Sequence, residues 1–244
     1  MDDVLLCFAH AGGGGAAFRS WPRRVGGSVV HPIVLPGRES RHAEPFATSL
    51  EAFVADVLDA YGPEVAAGRY SLFGFSLGGS IALAVARGAV ARGLPAPRRI
   101  IVSGSRPPSV PDPLSPLHRH GDMVLTGKLR NWGGIPEPAF ADREFMALVL
   151  ATLRADLRLV ETAAPSTVRL TCPLLVVGGA HDASVPVEIL HAWRHETDGA
   201  VDIVVVEAGH FLTDAATAEV LEVLDSSLGE NDGIERTRER IAHA

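Results

Sequence analysis

The chain has 244 residues, 47% hydrophobic and 21% charged, enough for one substantial core and in keeping with a single large α/β domain. Its 29 acidic and 22 basic side chains give a formal net charge of −7, and the basic residues are scattered rather than gathered in a stripe, which excludes nucleic acid as the main partner. No apolar run is long enough to span a bilayer, and the acidic start Met1-Asp2-Asp3 lacks the basic n-region of a signal peptide, so a cytoplasmic location with no membrane partner is expected.

In chain order, Val4 to Ala9 predicts a first strand, followed by a glycine-rich loop, Ala9-His10-Ala11-Gly12-Gly13-Gly14-Gly15. Val29 to Leu35 predicts a second strand, Leu50 to Val65 a helix, Tyr70 to Phe75 a third strand, Ile81 to Ala91 a helix and Ile100 to Ser103 a fourth strand. Beyond the middle of the chain come a strand at Leu174 to Val177, helical spacing at Val187 to Glu196, a strand at Val201 to Val206 and helical spacing at Ala215 to Leu228. The strands are mostly continuous apolar runs, as expected for strands covered on both faces. Their alternation with helices predicts a mostly parallel sheet with helices on both sides.

The segment from about 107 to 165 breaks this rhythm. It opens on Pro107-Pro108, Pro111 and Pro113, passes through Trp132-Gly133-Gly134 and contains no strand pattern, so it reads as a helical lid inserted in a domain spanning 1–228. Phe145, Leu148, Val149, Leu153, Leu157 and Val160 predict the packed face of its last helix. Residues 229–244, rich in alternating charges, read as a solvated tail. Cys7 and Cys172 fall in or beside buried strands and read as small hydrophobes.

Chemistry enters at Gly74-Phe75-Ser76-Leu77-Gly78, where a predicted strand turns into a helix. In such an elbow a serine takes a strained backbone that exposes its hydroxyl at a helix N-terminus, and flanking glycines make room for the tight turn. The five-residue pattern arises by chance in glycine-rich chains, so its weight depends on finding partners. His210, in Ala208-Gly209-His210-Phe211 after the last predicted strand, is the base expected at the carboxyl edge of the sheet. Asp182, after the preceding strand in Gly178-Gly179-Ala180-His181-Asp182, is the acid; the loop after Ser103 offers no carboxylate. The order serine, acid, histidine is that of an α/β-hydrolase fold: a mostly parallel sheet with helices on both faces and a helical lid insertion.

An oxyanion hole needs two backbone donors. The N–H of Leu77 supplies one and the loop after the first strand the other, for which Ala11 is chosen. The glycine run lacks the G-x-G-x-x-G spacing with a partner acid and the Gly-Lys-Ser/Thr ending of a phosphate loop. His10 either lines the acyl entrance or fixes the loop. His118-x-His120 has no third ligand at a recognised spacing, so neither metal nor cofactor is expected, and both histidines read as solvated loop residues.

Together with these motifs, Cys7-Phe8-Ala9-His10-Ala11-Gly12-Gly13, Leu35-Pro36-Gly37-Arg38 and Leu153-Arg154-Ala155-Asp156 make the chain resemble a type II thioesterase from about Val4 to Leu228. The resemblance implies an editing hydrolase that clears acyl groups from the phosphopantetheine arm of acyl or peptidyl carrier proteins beside a polyketide or nonribosomal peptide synthase. Phe75 and Leu77-Gly78-Gly79 stand where that family usually has histidine and Met-Gly-Ala, a departure that bears on the acyl pocket and leaves the triad intact. Other serine hydrolases of small esters or amides would use the same triad, and a noncatalytic carrier-binding protein could share the fold. Carrier proteins are typically acidic, so docking would need local basic residues, with Arg38, Arg41, Arg130 and Arg154 as candidates.

Overall fold

The computed structural model describes residues 2–211 and 213–229; of the predicted tail 229–244, Gly229 instead ends the last helix and the rest lies outside the described residues. Seven strands form one sheet: β1 (Val4–Phe8), β2 (Arg24–Val25), β3 (Ser28–Ile33), β4 (Tyr70–Phe75), β5 (Ile100–Ser103), β6 (Leu174–Gly179) and β7 (Val201–Val206). Their spatial order is β2-β3-β1-β4-β5-β6-β7, and every pairing is parallel except the short β2–β3 hairpin. β2 has no counterpart in the predicted elements, because two residues are too few to show a period.

Side chains on a strand alternate between faces, and the core divides accordingly. Val4, Leu6 and Phe8 of β1 join Leu72, Ile100, Val102, Leu174 and Val176 under helices α1 (Leu50–Ala60), α2 (Gly62–Ala66) and α3 (Leu77–Ala91). Leu5 and Cys7 join Phe73, Ile101, Leu175 and Val177 on the opposite face, covered by Phe18 and by Ala216, Val220 and Leu224 from the C-terminal helix (Asp214–Gly229). The predicted helix at 50–65 is two helices separated at Tyr61, with Pro63 at the start of the second, where a residue without an N–H is tolerated. The predicted helix at 187–196 is a 3-10 helix, Val187–His195, whose Trp193 indole N–H donates to Ser105 O at 3.0 Å in the core.

Between 107 and 165 lie α4 (Asp122–Trp132), α5 (Arg143–Glu161) and 3-10 turns at Leu117–Arg119 and Glu137–Ala141; the C-terminal helix is therefore α6. This segment has a small core of its own, built from Leu117, Leu125, Leu129, Met146, Leu150, Leu153 and Leu157. The buried face of α5 differs from the predicted one. Leu153 and Leu157 are buried and Val149 and Val160 pack partly buried against the core, as expected, but Phe145 is 40% and Leu148 71% exposed, and Met146 and Leu150 pack in their place. The packed stripe is thus rotated by somewhat less than one residue from the predicted one, and Asp156 is buried at its edge, nearer the stripe of Val149 than that of Met146 and Leu150.

Candidate active site

Ser76 sits between β4 and α3 with φ 54 and ψ −119, a left-handed backbone for a residue that carries a Cβ. Two glycines make the bend possible. A Cβ on Gly74 would overlap the Gly78 carbonyl, and one on Gly78 would overlap the Phe8 carbonyl of the neighbouring strand. Ser76 N–H donates to Ser103 O at 2.8 Å, tying the elbow to β5. Leu77 opens α3, so its N–H has no acceptor within the helix and points out of the helix N-terminus beside the serine.

Three side chains from distant parts of the chain meet here. His210 Nε2 lies 3.0 Å from Ser76 Oγ, and His210 Nδ1 lies 2.7 Å from Asp182 Oδ2. The other carboxylate oxygen, Asp182 Oδ1, accepts from the N–H groups of Ser184 at 2.8 Å and Val185 at 3.1 Å. Burial alone would raise the Asp182 pKa, but hydrogen bonding and attraction to His210, with the two backbone donors, hold it below its ordinary value. An ionised carboxylate only accepts, so Nδ1 of a neutral His210 carries the proton and Nε2 is left to accept from the serine hydroxyl. From the lid, the Trp132 ring covers the imidazole at 5.9 Å between centroids, and Phe75 flanks it at 5.7 Å.

A cleft of about 470 Å³ runs from Ser76 and His210 along α3, past Ser80, Leu83 and Arg87, under Leu157 and Val160 of the lid. Ala11 and Leu77 both border it at the serine end. His10 is not among its lining residues. Its ring instead packs edge-on against Phe211 and Phe75, with centroids at 4.7 and 5.5 Å, and fills the space where a Gly13 Cβ would stand. Of the two roles left open for it, holding the loop is the one this geometry fits. Burial, with repulsion from His210 and Arg38, lowers the His10 pKa to about 4, so the ring is neutral at ordinary pH.

The glycine-rich loop does cradle anions, but they are the protein's own. Gly12 N–H donates to Asp156 Oδ2 at 2.7 Å, while Gly15 and Ala16 N–H groups donate to the Glu39 carboxylate at 2.9 and 3.1 Å. Arg38 donates to Gly13 O at 2.7 Å and grips Asp156 with both Nη atoms, at 2.7 and 2.5 Å. The Leu-Pro-Gly-Arg and Leu-Arg-Ala-Asp segments therefore meet at the loop.

This corrects the reading of Arg38 as a docking residue, since its side chain is only 10% exposed and both its Nη atoms are engaged inside the protein. The other three basic candidates are also ion-paired, Arg41 with Glu44, Arg130 with Glu137 and Arg154 with Asp122, though each stays more accessible. His118 is likewise no solvated residue. It bonds Glu161 at 2.7 Å through Nδ1 and is 12% exposed, pinning the start of the lid to its last helix. His120 instead bonds Leu114 O at 2.7 Å. Among the described residues, no group of three or more His, Cys, Asp or Glu could hold a metal ion.

Sequence reasoning missed the roles of Asp156, Glu39, Trp132 and Arg106. Arg106 donates to Val110 O and Ser184 O, linking the entry to the lid with the loop that carries Asp182. The only available signal was that the segments holding Arg38 and Asp156 carried the strongest resemblance. Among the described residues no helix is long and apolar enough to cross a membrane.

With this geometry in hand, comparisons with known proteins point one way. The family model described as "Thioesterase domain" matches residues 3–228. Thioesterase PikA5 of Streptomyces venezuelae is 35% identical over 211 residues, covering 85% of this chain and 74% of the relative. Among solved structures, the RedJ thioesterase from the prodiginine biosynthetic pathway of Streptomyces coelicolor superposes with a TM-score of 0.82 at 32% identity, covering 91% of this chain and 89% of that one. YbtT, a type II thioesterase from the yersiniabactin NRPS/PKS biosynthetic pathway, gives a TM-score of 0.79 at 25% identity, covering 94% and 95%.

Proposed function

Since the chain belongs to the thioesterase domain family, we propose that it hydrolyses acyl thioesters held on the phosphopantetheine arm of carrier proteins in polyketide or nonribosomal peptide biosynthesis, with Ser76 as nucleophile. The relay from Ser76 through His210 to Asp182, placed at the mouth of the lid-covered cleft, is the observation that carries this reading. His210 Nε2 takes the proton from Ser76 Oγ as the oxygen attacks the thioester carbonyl carbon. The tetrahedral oxyanion is held by the N–H groups of Leu77 and Ala11 until it collapses. The C–S bond breaks, and the departing sulfur takes the proton from the imidazolium. Water then gives a proton to His210, attacks the acyl-serine and releases the free acid, returning the serine hydroxyl. Asp182 stays ionised and stabilises the imidazolium through its bond to Nδ1.

A thiolate is a good leaving group, so much of the task falls to aiming water and keeping bulk solvent from the acyl chain. Trp132 over the imidazole, with Leu157 and Val160 above the cleft, suits that task. The reaction needs no metal or cofactor of the protein's own, because the pantetheine arrives with the substrate. A cytoplasmic site of action fits a partner that is a carrier domain, and fits two cysteines that are both free.

The test loads a carrier protein with acyl groups of several lengths and follows their release by mass spectrometry, beside the corresponding simple esters. The expected result is faster release from the carrier than from the esters, with Ser76→Ala lowering it by about 10⁴-fold or more while the fold is kept. Undiminished release by the variant would overturn the assignment, and a preference for free esters would favour a general esterase.

A further inference from the structure

We propose that Arg38 and Asp156 are positioning residues for the oxyanion site, locking the peptide on each side of Ala11 and tying that lock to the lid helix α5. The proposal rests on the hydrolase reading above and adds to it a part played by residues that never touch the reacting atoms.

The Ala11 N–H lies in the peptide plane it shares with His10 O, and that plane is kept in place by hydrogen bonds on both sides of Ala11. The plane before it is fixed because His10 O accepts from Gly13 N–H at 2.9 Å. The plane after it is fixed because Gly12 N–H donates to Asp156 Oδ2 at 2.7 Å. The same carboxylate is gripped by Arg38, which also holds Gly13 O, so one buried ion pair closes the loop from both its donor and its acceptor side. Gly12 needs this support, since its φ of +80 places it where the backbone is otherwise free to swing.

Burying a carboxylate as deeply as Asp156, which is 3% exposed, is costly unless every lone pair is matched, and here the matching groups belong to the loop and to Arg38. An ion pair placed only for stability could sit anywhere in the core. This one is spent on the loop that faces Ser76. Its carboxylate projects from α5 one residue before Leu157, which lines the cleft, so the seating of the lid over an acyl chain and the aim of the Ala11 N–H are set by the same turn of helix. Because the oxyanion forms only in the transition state, loosening the clamp should weaken transition-state binding and leave ground-state binding nearly untouched.

The experiment compares wild type, Asp156→Asn and Arg38→Lys on an acyl N-acetylcysteamine thioester, with an alkylboronic acid as a tetrahedral mimic bonded to Ser76 and the amide isostere of the substrate as a ground-state ligand. Asp156→Asn is expected to lower kcat about 10- to 100-fold with KM within about threefold, and to weaken the boronate by the same factor as kcat/KM, while the amide binds as before. Arg38→Lys keeps the charge but not the two-pronged grip, and should change the same quantities less. If Asp156→Asn does not fold, Arg38→Lys decides alone. Folded variants that bind the boronate as wild type does, or that lose turnover through KM only, overturn the proposal. Should wild type leave the thioester intact, the hydrolase reading fails, and the boronate comparison still decides the clamp.

Discussion

The two backbone N–H groups proposed to hold the oxyanion, those of Leu77 and Ala11, are built in opposite ways. Leu77 belongs to one contiguous stretch, in which strand, bend and helix follow within five residues and the glycines at 74 and 78 clear the space. Ala11 belongs to a loop whose conformation is set by side chains 23 to 144 residues away, Glu39 on one flank and Asp156 with Arg38 on the other. A local device is compact to encode and intolerant of change. A distributed one tolerates change by degrees, because each partner holds only part of the loop.

Substitutions on the two sides should separate these designs. Gly78→Ala strikes the local half, where backbone meets backbone and nothing can yield, so a loss of about 4 kcal/mol or more is expected in urea unfolding, or no folded protein at all. A variant with near-native stability would mean that the elbow is looser than its contacts imply. On the distributed half, Glu39→Ala removes two bonds to the loop at an exposed position. The expected cost is about 1 kcal/mol, or about 2–4 °C in Tm, with kcat lowered less than about tenfold.

The loop can also be tested through pH. His10 titrates near 6.5 when unfolded and at about 4 when folded, so between those values the unfolded chain binds the proton that the native chain refuses. The contribution of His10 to stability is therefore lost as pH falls from 6.5 towards 4, and His10→Gln should flatten the stability profile in that window, as read by urea titration at several pH values. The smallest effect is expected on the outer lid, where Leu148→Ser should change stability by no more than about 0.5 kcal/mol, because the side chain is 71% exposed.

The same contrast explains what could be read in advance. β4 and β5 and the positions of Ser76, Asp182 and His210 stood out because each lies in or directly after a short apolar run with its turn residues attached. The packed face of α5 was misassigned because Phe145 and Leu148 fit a helical stripe as well as Met146 and Leu150 do, and periodicity cannot say which stripe meets the core. Asp156 offers no help from sequence alone, because a buried aspartate beside an apolar face makes sense only once Arg38, 118 residues earlier, is known to reach it. Arg38 itself looked like a surface charge, since a lone arginine in a loop carries no sign of its partner.

The burial of both cysteines bears on the chemistry carried out a short way off. Cys7 lies fully inside β1 and Cys172 is nearly covered beside β6, and desolvation pushes both thiols up, Cys172 to about 11 and Cys7 further. Transthioesterification and mixed-disulfide formation both begin with an accessible thiolate. A protein that handles activated acyl chains and leaves a free pantetheine thiol on the carrier thus offers no accessible thiol of its own onto which the cargo could stray or the spent arm could couple.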